Sequence, residues 1–457
     1  MDGDEEMLAA MGFASFGRPR RERGRRVQAT RSMKTDALPQ LMPGTELEPR
    51  RVEFSAGSVE NGAHGVLYIL CKDNDIDELD AALREDNNDD GEEGLKVPYL
   101  KVLEELEREK LRFDKLENSQ FLNARAATNA YEKLGRHRFL NRSAMKLVTL
   151  DHVFKWTRTL GQQLSFADIC GGPGGFSEYL LWRLGGCLKV ESENVQRIHG
   201  YGITLKEAAN NCDWRLPSEL RELFEICYGE DGTGNLYSIE NIHNFRGVVR
   251  TRYAEGVNLV VADGGFLDAR SQSNQESMMT RLILAEVLAM FAVLRVGGDF
   301  VCKTFELATP AMLELCWILH RSFERFAIVK PITSRPASSE RYIIARGLRA
   351  SRVTSKLVEA LEVQLTRSSN NDGNANIEHH RFLPNSTPML DDVGFLQYMT
   401  VSNEAIARVQ VQACRRINEY AANKNKRKTR ESGAGVDPKQ YYQCWQLGEL
   451  PRHGSAH

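Results

Sequence analysis

An apolar run, Phe166-Ala167-Asp168-Ile169, leads directly into Cys170-Gly171-Gly172-Pro173-Gly174-Gly175-Phe176 and then into the helical pattern Ser177-Glu178-Tyr179-Leu180-Leu181-Trp182-Arg183. A strand, a glycine turn and a helix in that order open a nucleotide-type cofactor site in an α/β domain. Glycine lets backbone N–H groups approach a ligand and permits positive φ in a tight turn. The chemistry of the ligand is narrowed by what does not follow. A second turn of the G-x-G-x-x-G type is missing, which argues against a dinucleotide. No Gly-Lys-Ser/Thr completes a P-loop, and Pro173 removes a donor that a phosphate cradle would use.

A chain of 457 residues has room for two to three domains, and 42% hydrophobic residues supply a sizeable core. No apolar run reaches 18 residues, so no transmembrane helix is expected. Asp2, Asp4, Glu5 and Glu6 at the start are the wrong sign for a secretory signal. The nine cysteines are scattered with no C-x-x-C, so neither a zinc site nor a disulfide framework is expected, and a reducing intracellular compartment fits. The net charge of −2 hides blocks of opposite sign: seven arginines lie within residues 18–31, whereas residues 73–93 hold eleven acids and Arg84 alone on the basic side. A local basic groove is compatible with that average. Asp73-Asn74-Asp75-Ile76-Asp77 starts like a calcium loop, but Glu78 stands where glycine is needed and Arg84 where a bidentate glutamate is needed, so no metal is expected.

Residues 1–50, rich in Arg, Gly and Pro, read as a disordered basic arm. Its arginines suit a nuclear localisation signal, an electrostatic contact with RNA, or a solvated tail with neither role. Residues 51–137 combine the acidic segment with a helical lead-in from Tyr99 to about Lys133. A second helical face carries Leu140, Ala144, Leu147, Leu150 and Phe154. Strands are expected at Phe166–Ile169, Gly200–Thr204, Asn258–Ala262, Asp299–Thr304, Ala327–Lys330 and Tyr342–Ala345, with helices at Gly174–Leu184, Gln275–Leu294 and Pro310–Arg325. That alternation is α/β, a doubly wound and mostly parallel sheet, in a domain placed at residues 138–349. Residues 350–457 read as a helical extension: a helix at Val353–Arg367, a polar loop at Ser368–Asn376, a helix at Asn403–Ala422 and a basic stretch from Lys424 to Arg430.

Ligands of open α/β sheets bind beyond the carboxyl ends of the parallel strands. Asp263 closes Asn258-Leu259-Val260-Val261-Ala262, and Lys303 follows Phe300-Val301-Cys302. A charge directly after a buried run is costly unless paired or useful. Taken singly, Asp263 also fits a cap on the Gly264-Gly265 turn, and Lys303 a snorkelling strand end. Glu340 reaches the same edge only if the strand at Tyr342 is antiparallel, which the short link from Ala327–Lys330 permits. Lys146 lies on the helix leading into the first strand, where an ordinary surface lysine is the plain alternative. Two lysines and two acids on one edge suit proton chemistry at a hydroxyl, a weak nucleophile until a base or a positive field helps release its proton. Nothing in the set has the form of a metal cage, and no Ser-His-Asp order is evident.

The order Lys146, Asp263, Lys303, Glu340 resembles the tetrad of the FtsJ-like (RrmJ-type) RNA ribose 2′-O-methyltransferases. The resemblance spans about residues 138–349. It rests on Phe139-Leu140-Asn141-Arg142-Ser143-Ala144-Met145-Lys146, the glycine loop, Ala262-Asp263-Gly264-Gly265-Phe266, Cys302-Lys303-Thr304-Phe305 and Ser334-Arg335-Pro336-Ala337-Ser338-Ser339-Glu340-Arg341-Tyr342. The fuller phrases are similar to the branch that methylates the first transcribed nucleotide of m7G-capped mRNA, cap 0 to cap 1. The resemblance implies a Rossmann-like, mostly parallel seven-stranded sheet with an antiparallel last strand, and a nuclear enzyme. It further implies that S-adenosylmethionine is held by Asn141, by Cys170, Gly171, Gly172, Pro173, Gly174, Gly175 and Phe176, and by the region of Asn235, where the family usually has an acid. The cap would be gripped by Lys110, Leu111, Arg112, Phe113, Asp114 and Arg125, and the RNA backbone touched by Ser273, Asn274, Gln275 and Ser338. A cationic 7-methylguanine suits an aromatic face with a carboxylate nearby, and a triphosphate suits Lys and Arg. Capped RNA is thus the implied partner, no membrane is expected, and the termini are available to transcription or capping machinery. Two other readings remain open: a methyltransferase of the same fold acting on rRNA, tRNA or a second cap nucleotide, and a catalytically silent module that binds capped RNA.

Overall fold

The computed structural model describes residues 59–61, 67–70, 75–84, 99–159, 164–186, 198–206, 212–265, 275–370, 381–422 and 437–447. The basic arm, most of the acidic segment, the basic stretch from Lys424 and the positions Ser273 and Asn274 lie outside them.

Nine strands make one sheet: β1 (Val59–Asn61), β2 (Leu67–Leu70), β3 (Leu164–Ile169), β4 (Ile198–Ile203), β5 (Phe224–Cys227), β6 (Val257–Ala262), β7 (Leu294–Thr304), β8 (Phe323–Val329) and β9 (Arg341–Leu348). Their order is β1-β2-β8-β9-β7-β6-β3-β4-β5. Strands β5, β4, β3, β6 and β7 are parallel to their neighbours. Strand β9 runs antiparallel between β7 and β8. Seven strands were expected for residues 138–349, and β3 to β9 are those seven; β1 and β2 add two more from outside that stretch, and β5 was not among the segments expected by pattern. β5 is four residues long with exposed Glu225 between buried Phe224 and Cys227, too brief to register as a strand by pattern. β1 and β2 come from the stretch just ahead of the acidic residues 73–93 and extend the sheet past β8 by antiparallel pairing. Their partner strand lies more than 200 residues along the chain.

The sheet sorts its side chains by the period of two that strands impose. Ala167, Ile169, Val260, Ala262, Phe300, Cys302, Ile343 and Ala345 face one core. Phe166, Leu259, Val261, Val301, Tyr342 and Ile344 face the other. The second face is covered by α4 (Arg142–Phe154) and α5 (Gly175–Leu181). The first is covered by α6 (Ile239–Arg252), α7 (Gln275–Val293), α8 (Pro310–Ser322), α9 (Thr354–Asn370) and α10 (Val393–Ala422). A last helix, α11 (Pro438–Cys444), returns Tyr441 and the following Trp445 to the second core.

Several element boundaries differ from expectation. Strand β8 begins at Phe323, inside the helix expected to run to Arg325, because buried Phe323 is already committed to pairing with Leu348. The long C-terminal helix starts at Val393, ten residues early, and buries Phe395, Tyr398 and Met399. The continuous lead-in helix is in fact α2 (Leu100–Leu111) and α3 (Asn118–Thr128), broken at extended Leu116 and Glu117. The break lets both pieces lie against α10. An earlier α1 (Asp75–Ala82) adds Leu79 and Ala82 to the first core.

Candidate active site

The carboxyl edge of β6 and β7 gathers the four charged side chains. Asp263 follows β6 directly. Lys303 lies one residue from the end of β7 and alternates with Cys302, so it shares the α4-facing side with Val301. In the ladder Lys303 pairs with Tyr342 and Thr304 with Arg341, which sets Glu340 just beyond the strand ends. Lys146 comes down from the second turn of α4. Lys146 Nζ donates to Glu340 Oε2 at 2.7 Å and stands 3.9 Å from Asp263 Oδ2. Lys303 Nζ donates to the Asp263 carbonyl at 2.7 Å and lies 3.3 Å from Asp263 Oδ1. None of the four side chains is more than 16% exposed. Two cations and two anions share that enclosure, so its formal charge balances, which is what makes burial tolerable.

Burial alone would raise the Asp263 carboxyl. Lys146, then Lys303, and hydrogen bonds from Ser143 and Tyr342 outweigh it and hold the group at about 2. Burial opposes Glu340 in the same way, and Lys146 brings it below the usual range against the repulsion of Asp263. Because Asp263 falls from 3.8 unfolded to about 2 folded, its contribution to stability is complete above pH 4 and is lost as pH falls through 2. Asp263→Asn is therefore expected to unfold at lower temperature than wild type at pH 7, with the gap narrowing towards pH 2. Thermal unfolding across that range checks it, and a gap that does not change with pH would refute it.

Further groups, not anticipated, complete the cluster. Tyr342 donates its hydroxyl to Asp263 Oδ1 at 2.8 Å, Ser143 donates to Oδ2, and Ser334 donates to Glu340 Oε1 at 2.7 Å. Glu286 of α7 lies behind the edge, where its Oε1 accepts the Gly264 N–H at 3.2 Å. Burial pushes its carboxyl up to about 8, against the pull of Lys303. A signal for Glu286 was present: it is a lone acid in Ile283-Leu284-Ala285-Glu286-Val287-Leu288. Lys330, at the end of β8, had the same strand-end signal as Lys303.

The glycine loop sits on the same edge, one strand over. Cys170 takes φ 54° and Gly174 φ 111°. An added Cβ would overlap Asp168 at Gly171, the Cys212 carbonyl at Gly172 and Asn141 Oδ1 at Gly175. Glycine at these three positions is thus demanded by the chain's own close packing, a stricter reason than ligand approach alone. Asn141 caps α4, accepting from Ser143 N and Ala144 N, and so fastens the loop to the helix that carries Lys146. Phe176 is buried, its ring centroid 6.3 Å from that of Tyr342; its side chain packs the core. Asn235 stands beyond β5, next to Gly234, whose place is fixed against the Thr204 carbonyl at the end of β4. Its Oδ1 accepts from Tyr237 N, which leaves the Nδ2 donor in place of the acid usual there. Asp168 Oδ2 accepts from Ser177 N and Oγ, whereas Oδ1 is buried without a partner. An orphaned acceptor beneath a glycine loop fits a nucleoside cofactor carrying hydroxyl and amine donors.

On the lead-in side, Phe113 and Phe121 pack at 4.9 Å between centroids, with Arg125 5.5 Å over Phe121. Leu111, Arg112 and Asp114 are exposed. Lys110 Nζ reaches Ser339 Oγ at 2.7 Å and Glu306 Oε1 at 3.1 Å, linking this patch to the turn before Glu340. Ser338 lies on that turn, half-buried. Gln275 opens α7, and Ser273 and Asn274 precede it outside the described residues. Among the described residues no His, Cys, Asp or Glu group is arranged to hold a metal, and no helix is long and apolar enough to cross a membrane.

A glycine loop and an enclosed cluster of two lysines and two acids share one edge of a doubly wound sheet with an antiparallel strand inserted beside it, the arrangement of an α/β methyltransferase. The family model described as FtsJ-like methyltransferase matches residues 139–348, and that stretch is an FtsJ-like methyltransferase domain. Domains of this family take their methyl group from S-adenosylmethionine. The chain is 36% identical over 346 residues to the cap-specific mRNA (nucleoside-2′-O-)-methyltransferase 1 of Danio rerio, covering 70% of this chain and 39% of that protein. The protein of the same name from Homo sapiens is 36% identical over 330 residues, covering 67% and 37%. That from Dictyostelium discoideum is 33% identical over 338 residues, covering 70% and 43%. The chain thus spans about two fifths of the length of these curated relatives. Among solved structures, a putative ribosomal RNA methyltransferase from Plasmodium falciparum is similar at 16% identity and a TM-score of 0.31, over 46% of this chain and 97% of that one, a likeness too slight to argue from.

Proposed function

We propose that the chain methylates the ribose 2′-hydroxyl of the first transcribed nucleotide of m7G-capped mRNA, converting cap 0 to cap 1. The observation that carries this reading is the enclosed Lys146–Asp263–Lys303–Glu340 cluster beside the glycine loop, in a chain about one third identical to proteins named for that reaction. S-adenosylmethionine, held by the loop from Cys170 to Phe176 with Asn141 and Asn235, supplies an electrophilic sulfonium methyl. Lys303 lowers the pKa of the ribose hydroxyl and, once its own proton has passed to solvent, takes up the hydroxyl proton as the 2′-oxygen attacks the methyl and S-adenosylhomocysteine leaves. Asp263 orients Lys303 through its carbonyl and carboxylate. Glu340 holds Lys146, which supports the ribose and the charge that develops on its oxygen.

The lead-in supplies the cap side. The Phe113 ring, packed against Phe121 and followed in the chain by Asp114, suits a cationic purine. Lys110 and Arg125 suit the triphosphate, with Leu111 and Arg112 at the exposed rim. Ser338, with Ser273, Asn274 and Gln275, takes the RNA backbone. Division of labour among residues 51–137, 138–349 and 350–457 follows from this reading. The arginines of residues 18–31 support nuclear residence and contact with transcription or capping machinery. A fluorescent fusion that stays cytoplasmic would refute the nuclear part.

The deciding experiment uses tritium-labelled cofactor and one short RNA, with and without its cap, followed by nuclease mapping. Label confined to the first ribose of the capped RNA is expected. Equal label on uncapped RNA would favour an rRNA or tRNA substrate, label on the second ribose would move the site by one nucleotide, and no label would leave a binding module.

A further inference from the structure

Lys330 follows β8 and is only 6% exposed. Its Nζ donates to the Glu340 carbonyl at 2.6 Å and the Ser338 carbonyl at 2.7 Å, and reaches Ser338 Oγ at 3.4 Å. All three acceptors sit on the turn that joins β8 to β9. Pro331 breaks the strand, and two reverse turns follow, closed by Ser334 N to the Pro331 carbonyl at 2.9 Å and Ser338 N to the Arg335 carbonyl at 3.0 Å. From the other side Ser339 Oγ accepts from Lys110 at 2.7 Å and from Gln410 of α10 at 3.1 Å. Lys330 thus holds the inner wall of a turn whose outer wall is gripped by the lead-in and by the C-terminal helix.

A buried ammonium is expensive. Lys146 and Lys303 are each matched by a carboxylate, but the three acceptors of Lys330 are two carbonyls and a hydroxyl. Burial accordingly pushes Lys330 down to about 7, against the attraction of Glu340. A hydrophobic residue of similar length would avoid that cost but would take this donor away from two carbonyls of the turn. What the lysine secures is the place of the Glu340 backbone, from which the carboxylate reaches Lys146.

We propose that Lys330 is a positioning residue for methyl transfer: it fixes the 334–340 turn, and through Glu340 it sets where the Lys146 ammonium stands. The inference rests on the reading of the cluster given under Proposed function, and its test separates the two. Lys330→Met is expected to lower kcat about 10- to 100-fold, the range in which small misplacements of reacting groups act, with KM for S-adenosylmethionine within roughly twofold. Lys330→Arg, which keeps the charge and the donors, should recover a large part of the loss. In a Glu340→Ala background Lys330→Met should cost little more, because both act through one carboxylate. Hydrogen exchange by mass spectrometry should show faster exchange in Lys330→Met across 334–342 and wild-type exchange in β3 and β6. Wild-type kcat in Lys330→Met, full additivity with Glu340→Ala, or unaltered exchange in that turn would each overturn the assignment. If the wild-type chain transfers no methyl, the functional reading fails, and the exchange experiment still decides whether Lys330 holds the turn. If Lys330→Met does not fold, Lys330→Arg and Lys330→Gln take its place in the same measurements.

Discussion

Lys303→Ala is expected to reduce methyl transfer to capped RNA by about 10²- to 10⁴-fold, the usual contribution of a positioned acid or base, while capped-RNA binding changes little. The separation follows from geometry. Lys303 Nζ is engaged at the sheet edge with the Asp263 carbonyl and carboxylate, whereas the proposed cap contacts are on α2, α3 and the turn between them. The remaining cation near Asp263 is Lys146, at 3.9 Å, so one charge partner is retained and the edge does not lose all compensation. Initial rates with labelled cofactor, a binding isotherm with capped RNA and a thermal melt on the same sample are the measurements. A folded variant with full activity would remove Lys303 from the mechanism. Lost RNA binding in a folded variant would move it from proton transfer to substrate recognition.

Gly172→Ala is expected to weaken cofactor binding by about 10- to 100-fold. The added Cβ would overlap the Cys212 carbonyl oxygen and press on Thr204. A backbone atom cannot rotate away as a side chain can, so the loop itself must move. Overpacking of that kind costs about 1–3 kcal/mol in a fold. Here the strain falls on the segment proposed to hold the cofactor, so affinity should suffer more than global stability. Calorimetric titration with S-adenosylmethionine against the melting temperature distinguishes the two. Gly232→Ala makes the comparison: unlike Gly172 it has a positive φ, and an added Cβ there meets nothing within 4 Å, so only its local backbone strain should appear. Wild-type affinity in Gly172→Ala would show that the loop relaxes, and would end the claim that its packing shapes the site.

Much of this site was legible from its charged residues taken together. An ammonium after Phe300-Val301-Cys302 and a carboxylate after Leu259-Val260-Val261-Ala262 each have a local explanation when taken singly, and only their coincidence at one sheet edge pointed to a shared site. The antiparallel course of β9 was readable from the short link after β8, since a hairpin connection leaves no other direction. Other features had no comparable signal. β5 is too short to show a period, and β2, which carries β1 at its outer edge, pairs with a strand far along the chain. The break at Leu116–Glu117 follows from where α10 lies, since helical periodicity continues on either side of it.

By itself the sequence determined which groups exist and at which strand ends they stand: the glycine turn after β3, the acid after β6, the lysine before the end of β7 and the glutamate before β9. Periodicity and chain direction suffice for that, because they are local properties. Only the tertiary structure decided the pairing, with Lys146 bonded to Glu340 across 194 residues, Lys303 to Asp263 across 40, and Lys330 to the turn between them. Those distances depend on the register of β7 against β9 and on the descent of α4 over the sheet. Both are set by packing among distant side chains, and no stretch of sequence contains them.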